Sequence, residues 1–283
     1  MEWNLTGIPR TAHFYWGGGK LPYLRYLTIA TFRYYNPDWE IFLWEPMTQY
    51  RDNTWLTHEQ EYADHYEDYR GMVSKHDVVN VIIDFELLGF RNDASEVHKS
   101  DFLRWRLLSG TGGVWIDMDI LFIKPMNSLY FNTEENKDVN TVFCIEPSKH
   151  YHSIGFLMGS EGNRYFDKIA GVSLKEYKKE AYQCMGSEVL NKMFPTTESA
   201  RIEGVKPHNL AMDVVYAYNC SHVRELLVPV APMKLTRNSI GIHWYAGHKL
   251  AGEYLNRTNG GLNPDNDGVL NKEIKKFRLL NGE

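Results

Sequence analysis

The chain has 283 residues, 43% of them hydrophobic and 24% charged, enough to bury a sizeable core in one large α/β domain or two small ones. A net charge of −5 without any Lys/Arg stripe argues against a charged nucleic-acid face, and three scattered cysteines (Cys144, Cys184, Cys220) argue against a disulfide framework or a CxxC zinc site. The polar N-terminus carries no signal-peptide pattern and the longest apolar run, Val78–Ile83, is broken by Asn80; no transmembrane segment and a cytoplasmic location are therefore expected.

Residues Arg10–Trp16 alternate and end in Gly17-Gly18-Gly19, which predicts a first strand running into a glycine loop. Leu21–Tyr35 follows as a helix, with Pro22 near its start and Asn36-Pro37 past its end, and Glu40–Trp44 as a second strand. This is a βαβ unit, expected to be parallel and right-handed. Tyr50–Asp77 is polar and reads as surface helices. Ala94–Ser109 is a helix, with Asp93 placed to cap it, Glu96 three residues on, and Gly110, Gly112 and Gly113 to stop it. Val114–Asp117 and Ile120–Ile123 read as short strands about a turn, Thr141–Glu146 and Ile154–Gly159 as further strands, and Asn163–Lys179 as a helix. With no repeat or linker in view, the expectation is a single domain over residues 1–283.

The chemistry centres on Gly112-Gly113-Val114-Trp115-Ile116-Asp117-Met118-Asp119. An apolar strand delivers two carboxylates at its C-terminal end, where open α/β sheets bind ligands. Paired carboxylates there make a hard oxygen site suited to Mn²⁺ or Mg²⁺, able to neutralise a departing diphosphate. A second Asp-x-Asp, Asp265-Asn266-Asp267, lies in a Pro- and Gly-bearing stretch whose Glu273 comes one position early for a calcium loop; an Asx-type turn is the better reading. Asp84-x-Glu86 and His150-x-His152 have only their spacing to recommend them, and the two histidines read as solvated. Asp101 and Arg104 lie three apart on one helix face, as an intrahelical ion pair or as a carboxylate and guanidinium for sugar and diphosphate.

The stretch Ser100–Met126, SDFLRWRLLSGTGGVWIDMDILFIKPM, resembles the DxD region of the family-32 glycosyltransferases, which include Golgi α-1,6-mannosyltransferase and α-1,4-galactosyltransferases, and is similar to the glucosyltransferase domain of the large clostridial toxins. Ile8-Pro9, His13-Phe14-Tyr15-Trp16-Gly17-Gly18 and Asn36-Pro37-x-Trp39 resemble the first strand, its loop and the approach to the second strand in these families. Ile242–Lys249, IHWYAGHK, resembles the late His motif, and Met185-Gly186-Ser187-Glu188 a stretch on the sugar and acceptor side, with Ser187 in place of the usual Pro.

The resemblance implies an α/β fold of GT-A type, a Rossmann-like, mixed and mostly parallel sheet flanked by helices, with the donor-binding half in about 1–126 and the acceptor-side half in about 127–283. It implies a metal-dependent, retaining transfer of a hexose from a nucleotide sugar, UDP-hexose ahead of GDP-mannose, to an acceptor glycan, protein or other hydroxyl. Asp101, Asp117 and Asp119 become the expected catalytic residues. Mn²⁺ or Mg²⁺ would be held by Asp117, Asp119 and His243. The donor would be met by His13, Tyr15, Trp16 (stacked on the base), Gly17, Asp101, Arg104, Asp117 and Lys249, and Glu188 would stand on the acceptor side. A nucleotide-sugar hydrolase or nucleotidyltransferase is the alternative, and a non-catalytic sugar-nucleotide binder ranks last.

Overall fold

In the computed structural model the described residues are 5, 7–50, 65–129, 138–146, 151–229, 234–263 and 267–282. The chain opens with β1 (Thr11–Tyr15), α1 (Tyr23–Tyr35) and β2 (Glu40–Pro46). A short helical turn α2 (Arg70–Val73) leads to β3 (Val79–Ile83), then α3 (Glu96–Gly110), β4 (Gly113–Ile116) and β5 (Ile120–Phe122). The second half contributes β6 (Thr141–Glu146), β7 (Tyr151–Gly159), α4 (Arg164–Glu176), α5 (Ser187–Met193), β8 (Pro207–Asn209), α6 (Val223–Leu227), β9 (Gly241–His243), α7 (Lys249–Arg257) and α8 (Val269–Leu280).

Seven strands form one sheet in the order β3-β2-β1-β4-β7-β6-β8, while β5 and β9 form a separate two-stranded ribbon. β1 pairs in parallel with β2 and β4, β2 with β3, and β6 with β8; β7 runs antiparallel to both β4 and β6. This is the mixed, mostly parallel sheet that was expected, with the βαβ unit at its start. Successive side chains leave a strand on opposite faces, and both faces here are covered. Ala12, Phe14, Val114 and Ile116 join one core with α1 and the C-terminal helices, whereas Tyr15, Trp115, Phe143 and Leu157 join a second core with α3 and α4.

Local chemistry moves some boundaries. The cap of α3 is Ser95, whose side chain accepts from the His98 amide, and not Asp93, which pairs with Arg91 at 2.6 Å. Asn163 caps α4 by accepting from Tyr165 and Phe166. Gly112 and Gly113, at φ +68° and +97°, turn the chain from α3 into β4 in a conformation that other residues rarely adopt. β3 is a strand on the sheet edge that the polar break at Asn80 concealed. Most of the polar stretch after Tyr50 and the Asp265-Asn266 part of the second Asp-x-Asp lie outside the described residues, as does His150. His152 is fully buried and its Nε2 lies 2.6 Å from the Phe194 carbonyl, so the solvated reading is corrected. Asp84 accepts from the Glu86 amide and from Asn92, a local turn. Among the described residues no helix is long and apolar enough to cross a membrane.

Candidate active site

β4 ends at Ile116 and the next three residues carry the chain from the main sheet to the β5–β9 ribbon. Asp117 stays tied to the main sheet through its amide, which donates to the Gly155 carbonyl at 2.8 Å. Asp119 is tied to the ribbon: its carbonyl accepts from the Trp244 amide at 2.9 Å and its Oδ2 from the Ala246 amide at 3.0 Å. The ribbon register sets Ile120 opposite His243. One potential ligand atom from each of Asp117, Asp119 and His243 lies within 4.8 Å of the others.

His243 Nε2 is 3.2 Å from Asp119 Oδ1. Its Nδ1 is buried without a hydrogen-bond partner, and its ring packs against Tyr216 and, edge-on at 4.2 Å, against Tyr245. Tyr245 adopts φ +53°, an uncommon conformation for a bulky side chain. Burial pushes the Asp119 carboxyl upward, but the charge and hydrogen bond of His243, the charge of Arg25 and the Ala246 amide outweigh it and hold the group well below the usual carboxylate range. Two carboxylates and an imidazole with an unsatisfied ring nitrogen suit a borderline-hard divalent cation such as Mn²⁺.

Behind these groups, Arg104 Nη2 lies 3.1 Å from Asp101 Oδ1 and 3.4 Å from Asp117 Oδ1. The ion pair expected along α3 thus continues to the strand end. Arg104 also donates to the Ile154 carbonyl at 2.5 Å, and its guanidinium carbon stands 5.0 Å from the centre of the Trp115 ring. Trp115 Nε1 donates to Asp117 Oδ1 at 2.7 Å. Asp101 is only 2% exposed. Burial raises its pKa to about 7, with Arg104 lowering it and Asp117 raising it further.

Two close approaches keep side chains out of this space. A Cβ at Gly155 would lie 2.9 Å from Asp117 Oδ2 and 3.2 Å from the buried, unpartnered Tyr216 hydroxyl. A Cβ at Gly186 would lie 2.7 Å from Asp101 Oδ2, and the neighbouring Met185 carbonyl accepts from Trp105 Nε1 at 2.8 Å. The segment read from sequence as the sugar side therefore packs on Asp101, while Glu188 itself is exposed at the start of α5.

The remaining expected donor residues divide. His13 is 2% exposed, with its Nε2 3.0 Å from the Gly112 carbonyl and its Nδ1 accepting from Trp44 at 3.3 Å; both ring nitrogens are engaged inside the fold. Tyr15 is buried and donates to Glu96 Oε2 at 2.5 Å, beside Gly17, where a Cβ would lie 1.8 Å from that same oxygen. Trp16 is half-buried at the loop edge, with the Arg25 guanidinium 5.2 Å from its ring centre. Lys249 opens α7 with a side chain 68% exposed, 3.9 Å from Glu253, and His248 serves as the helix cap. Trp115, Gly155, Tyr216 and Arg25 were missed in the sequence. Trp115 lay in plain view between the glycines and the paired carboxylates; the other three carry no local signal.

Residues 24–135 match the family described as "Glycosyltransferase sugar-binding region containing DXD motif". No curated protein matches the chain significantly. Among solved structures, the chain is similar to PaToxG glycosyltransferase at 15% identity, covering 68% of this chain and 72% of that one with a TM-score of 0.47. It is similar to the galactosyltransferase LgtC in complex with donor and acceptor sugar analogs at 14% identity, covering 93% and 99% with a TM-score of 0.43. It is also similar to the glycosyltransferase GlyE of Streptococcus pneumoniae at 12% identity, covering 95% of this chain and 64% of that one with a TM-score of 0.45.

Proposed function

We propose that this chain, whose residues 24–135 match the DXD-containing glycosyltransferase family, transfers a hexose from a UDP- or GDP-sugar, UDP-hexose being the first donor to test, in a metal-dependent reaction. The observation that carries this reading is the convergence of Asp117, Asp119 and His243 at the end of a central strand, from two sheets and from distant parts of the chain. A divalent cation held by these three residues would supply charge neutralisation to the departing diphosphate.

The other residues fix geometry. Arg104 fastens Asp101 to Asp117 and to the Ile154 carbonyl, so α3, β4 and β7 present one rigid wall. Trp115 orients Asp117 by a hydrogen bond from the same strand. Asp101, buried beside the small Gly186, offers a carboxyl edge to sugar hydroxyls, which hydrogen-bond strongly to such a group. Gly155 and Gly186 let the backbone approach Asp117 and Asp101 so closely that no side chain fits there. Charge placed in advance where the leaving group develops it lowers the barrier without reorganisation. Retention of anomeric configuration is the expected outcome.

The test is nucleotide release from a panel of UDP- and GDP-sugars with Mn²⁺, in the wild type and Asp119→Asn. Release from one donor, abolished by EDTA and by the substitution, supports the reading and names the sugar. No release from any donor, together with no Mn²⁺-dependent binding of UDP or GDP, sinks it.

A further inference from the structure

We propose that Tyr245 is a positioning residue for the cation site, its ring acting with that of Tyr216 to hold the His243 imidazole in its ligating orientation; this rests on the cation reading above. A metal-binding histidine is ordinarily oriented by a hydrogen bond at its second ring nitrogen, which fixes both the tautomer and the plane of the ring. Among the described residues His243 has no such bond. Its Nε2 faces Asp119 Oδ1 at 3.2 Å, and its Nδ1 is buried without a partner. The torsion that turns an imidazole about its Cβ–Cγ bond is broad, so the plane of this ring is set by what packs on it.

Two tyrosine rings pack on it. The centre of the Tyr216 ring lies 5.1 Å from that of His243, inclined at 42°, and the centre of the Tyr245 ring lies 4.2 Å away, inclined at 67°. Tyr216 is itself fixed. It is 4% exposed, and the backbone before it is bonded to the ribbon segment: Val214 accepts from the Ile240 amide at 2.9 Å and Val215 from the His243 amide at 2.8 Å. Tyr245 comes from the other side, two residues beyond His243 in the chain, and is half-buried.

The backbone of Tyr245 shows what holds it there. Its φ of +53° lies in the left-handed region, where a Cβ crowds the following carbonyl and bulky residues are rare. Such a conformation persists where the surroundings over-determine it. The amides on either side of Tyr245 are both spent on Asp119, Trp244 donating to its carbonyl at 2.9 Å and Ala246 to its Oδ2 at 3.0 Å, and the Tyr245 carbonyl accepts from the His248 amide at 2.8 Å. Glycine would adopt this conformation without strain. A tyrosine costs free energy here and supplies a ring, and that ring lies edge-on against His243.

The experiment reads the ion rather than turnover. Mn²⁺ affinity is measured by electron paramagnetic resonance of the free ion, and ligation by the nitrogen modulation that a coordinated imidazole imposes on the spin echo of bound Mn²⁺. The wild type is expected to show that modulation. Tyr245→Asn tolerates positive φ and deletes the ring. It is expected to weaken Mn²⁺ binding roughly tenfold and to lose most of the nitrogen modulation, the two carboxylates still holding the ion. Tyr245→Phe keeps the ring and is expected to retain both. A ring that served the fold alone would move the melting temperature and leave the modulation of the folded protein as it is in the wild type. Should Tyr245→Asn not fold, Tyr245→Gly takes its place. A ring-deleted variant with wild-type affinity and modulation overturns the proposal and leaves the cation reading standing, as does a Tyr245→Phe variant as impaired as Tyr245→Asn. A wild type that binds no Mn²⁺, or binds it without the nitrogen modulation, overturns the assignment of His243 to the cation site, and this proposal with it.

Discussion

His243 Nε2 and Asp119 Oδ1 lie 3.2 Å apart across the ribbon in which β5 pairs with β9. The pair joins the central strand end to a segment near the C-terminus, and Asp117 completes a set of three within 4.8 Å. Substituting Asp119→Asn or His243→Ala is expected to weaken Mn²⁺ binding at least about a hundredfold, since even partners outside the ligand set contribute factors of ~10–100. Titration of the protein with Mn²⁺, followed by electron paramagnetic resonance of the free ion, measures this directly. Unchanged affinity in both variants would dismiss the three residues as a cation site.

Arg104 is expected to matter for stability as much as for chemistry. Its side chain is 4% exposed and faces Asp101, itself 2% exposed. Arg104→Met leaves a buried carboxyl without its counter-charge and should cost about 3 kcal/mol in urea unfolding. The double substitution Asp101→Asn with Arg104→Met removes the stranded charge and should recover part of that loss. A double variant as unstable as the sum of the single ones would show that packing, not charge, sets the cost.

Gly155→Ala places a methyl group 2.9 Å from Asp117 Oδ2 and 3.2 Å from the Tyr216 hydroxyl. Displacement of the carboxylate by a few tenths of an ångström should lower kcat/KM by roughly ten- to a hundredfold. Steady-state kinetics beside thermal melting separate this from unfolding; a loss of activity matched by a collapse of Tm would assign Gly155 to the core instead.

His13 sets an acid limit on the fold. Burial depresses its pKa from 6.5 to about 4, against a raising effect of the Gly112 carbonyl. Between those two values the unfolded chain binds more protons than the folded one, so stability falls as pH drops through the window. The loss is complete below about pH 4 and amounts to about 3 kcal/mol at most. His13→Gln, which can still donate to Gly112, should flatten the difference in unfolding free energy between pH 7 and pH 4 relative to the wild type. Equal slopes in the two proteins would remove His13 from the account.

Sequence and structure agree best where one local pattern decides. The run from Gly112 to Asp119 predicted a strand delivering carboxylates, because an apolar strand, a glycine turn and two acids are all contiguous. The βαβ opening was legible for the same reason. The Asp101–Arg104 pair was legible only along its helix. That Arg104 also reaches Asp117 depends on α3 packing against β4, which no spacing encodes. His13 and Tyr15 sit in the first strand as expected, but the direction of their side chains was decided by partners distant in sequence, Gly112 and Glu96. Ser95 displaced Asp93 as the cap because its side chain reaches the His98 amide, while Asp93 is taken by Arg91.

The β5–β9 ribbon also fixes the order in which the site comes into being during synthesis. Asp117 and Asp119 leave the ribosome long before β9 does. At ~5–20 residues per second the delay is on the order of ten seconds. Through that interval the nascent chain exposes two carboxylates with neither the imidazole nor the Ala246 amide to accompany them. A growing chain is therefore unable to assemble the full three-residue set until β9 has emerged.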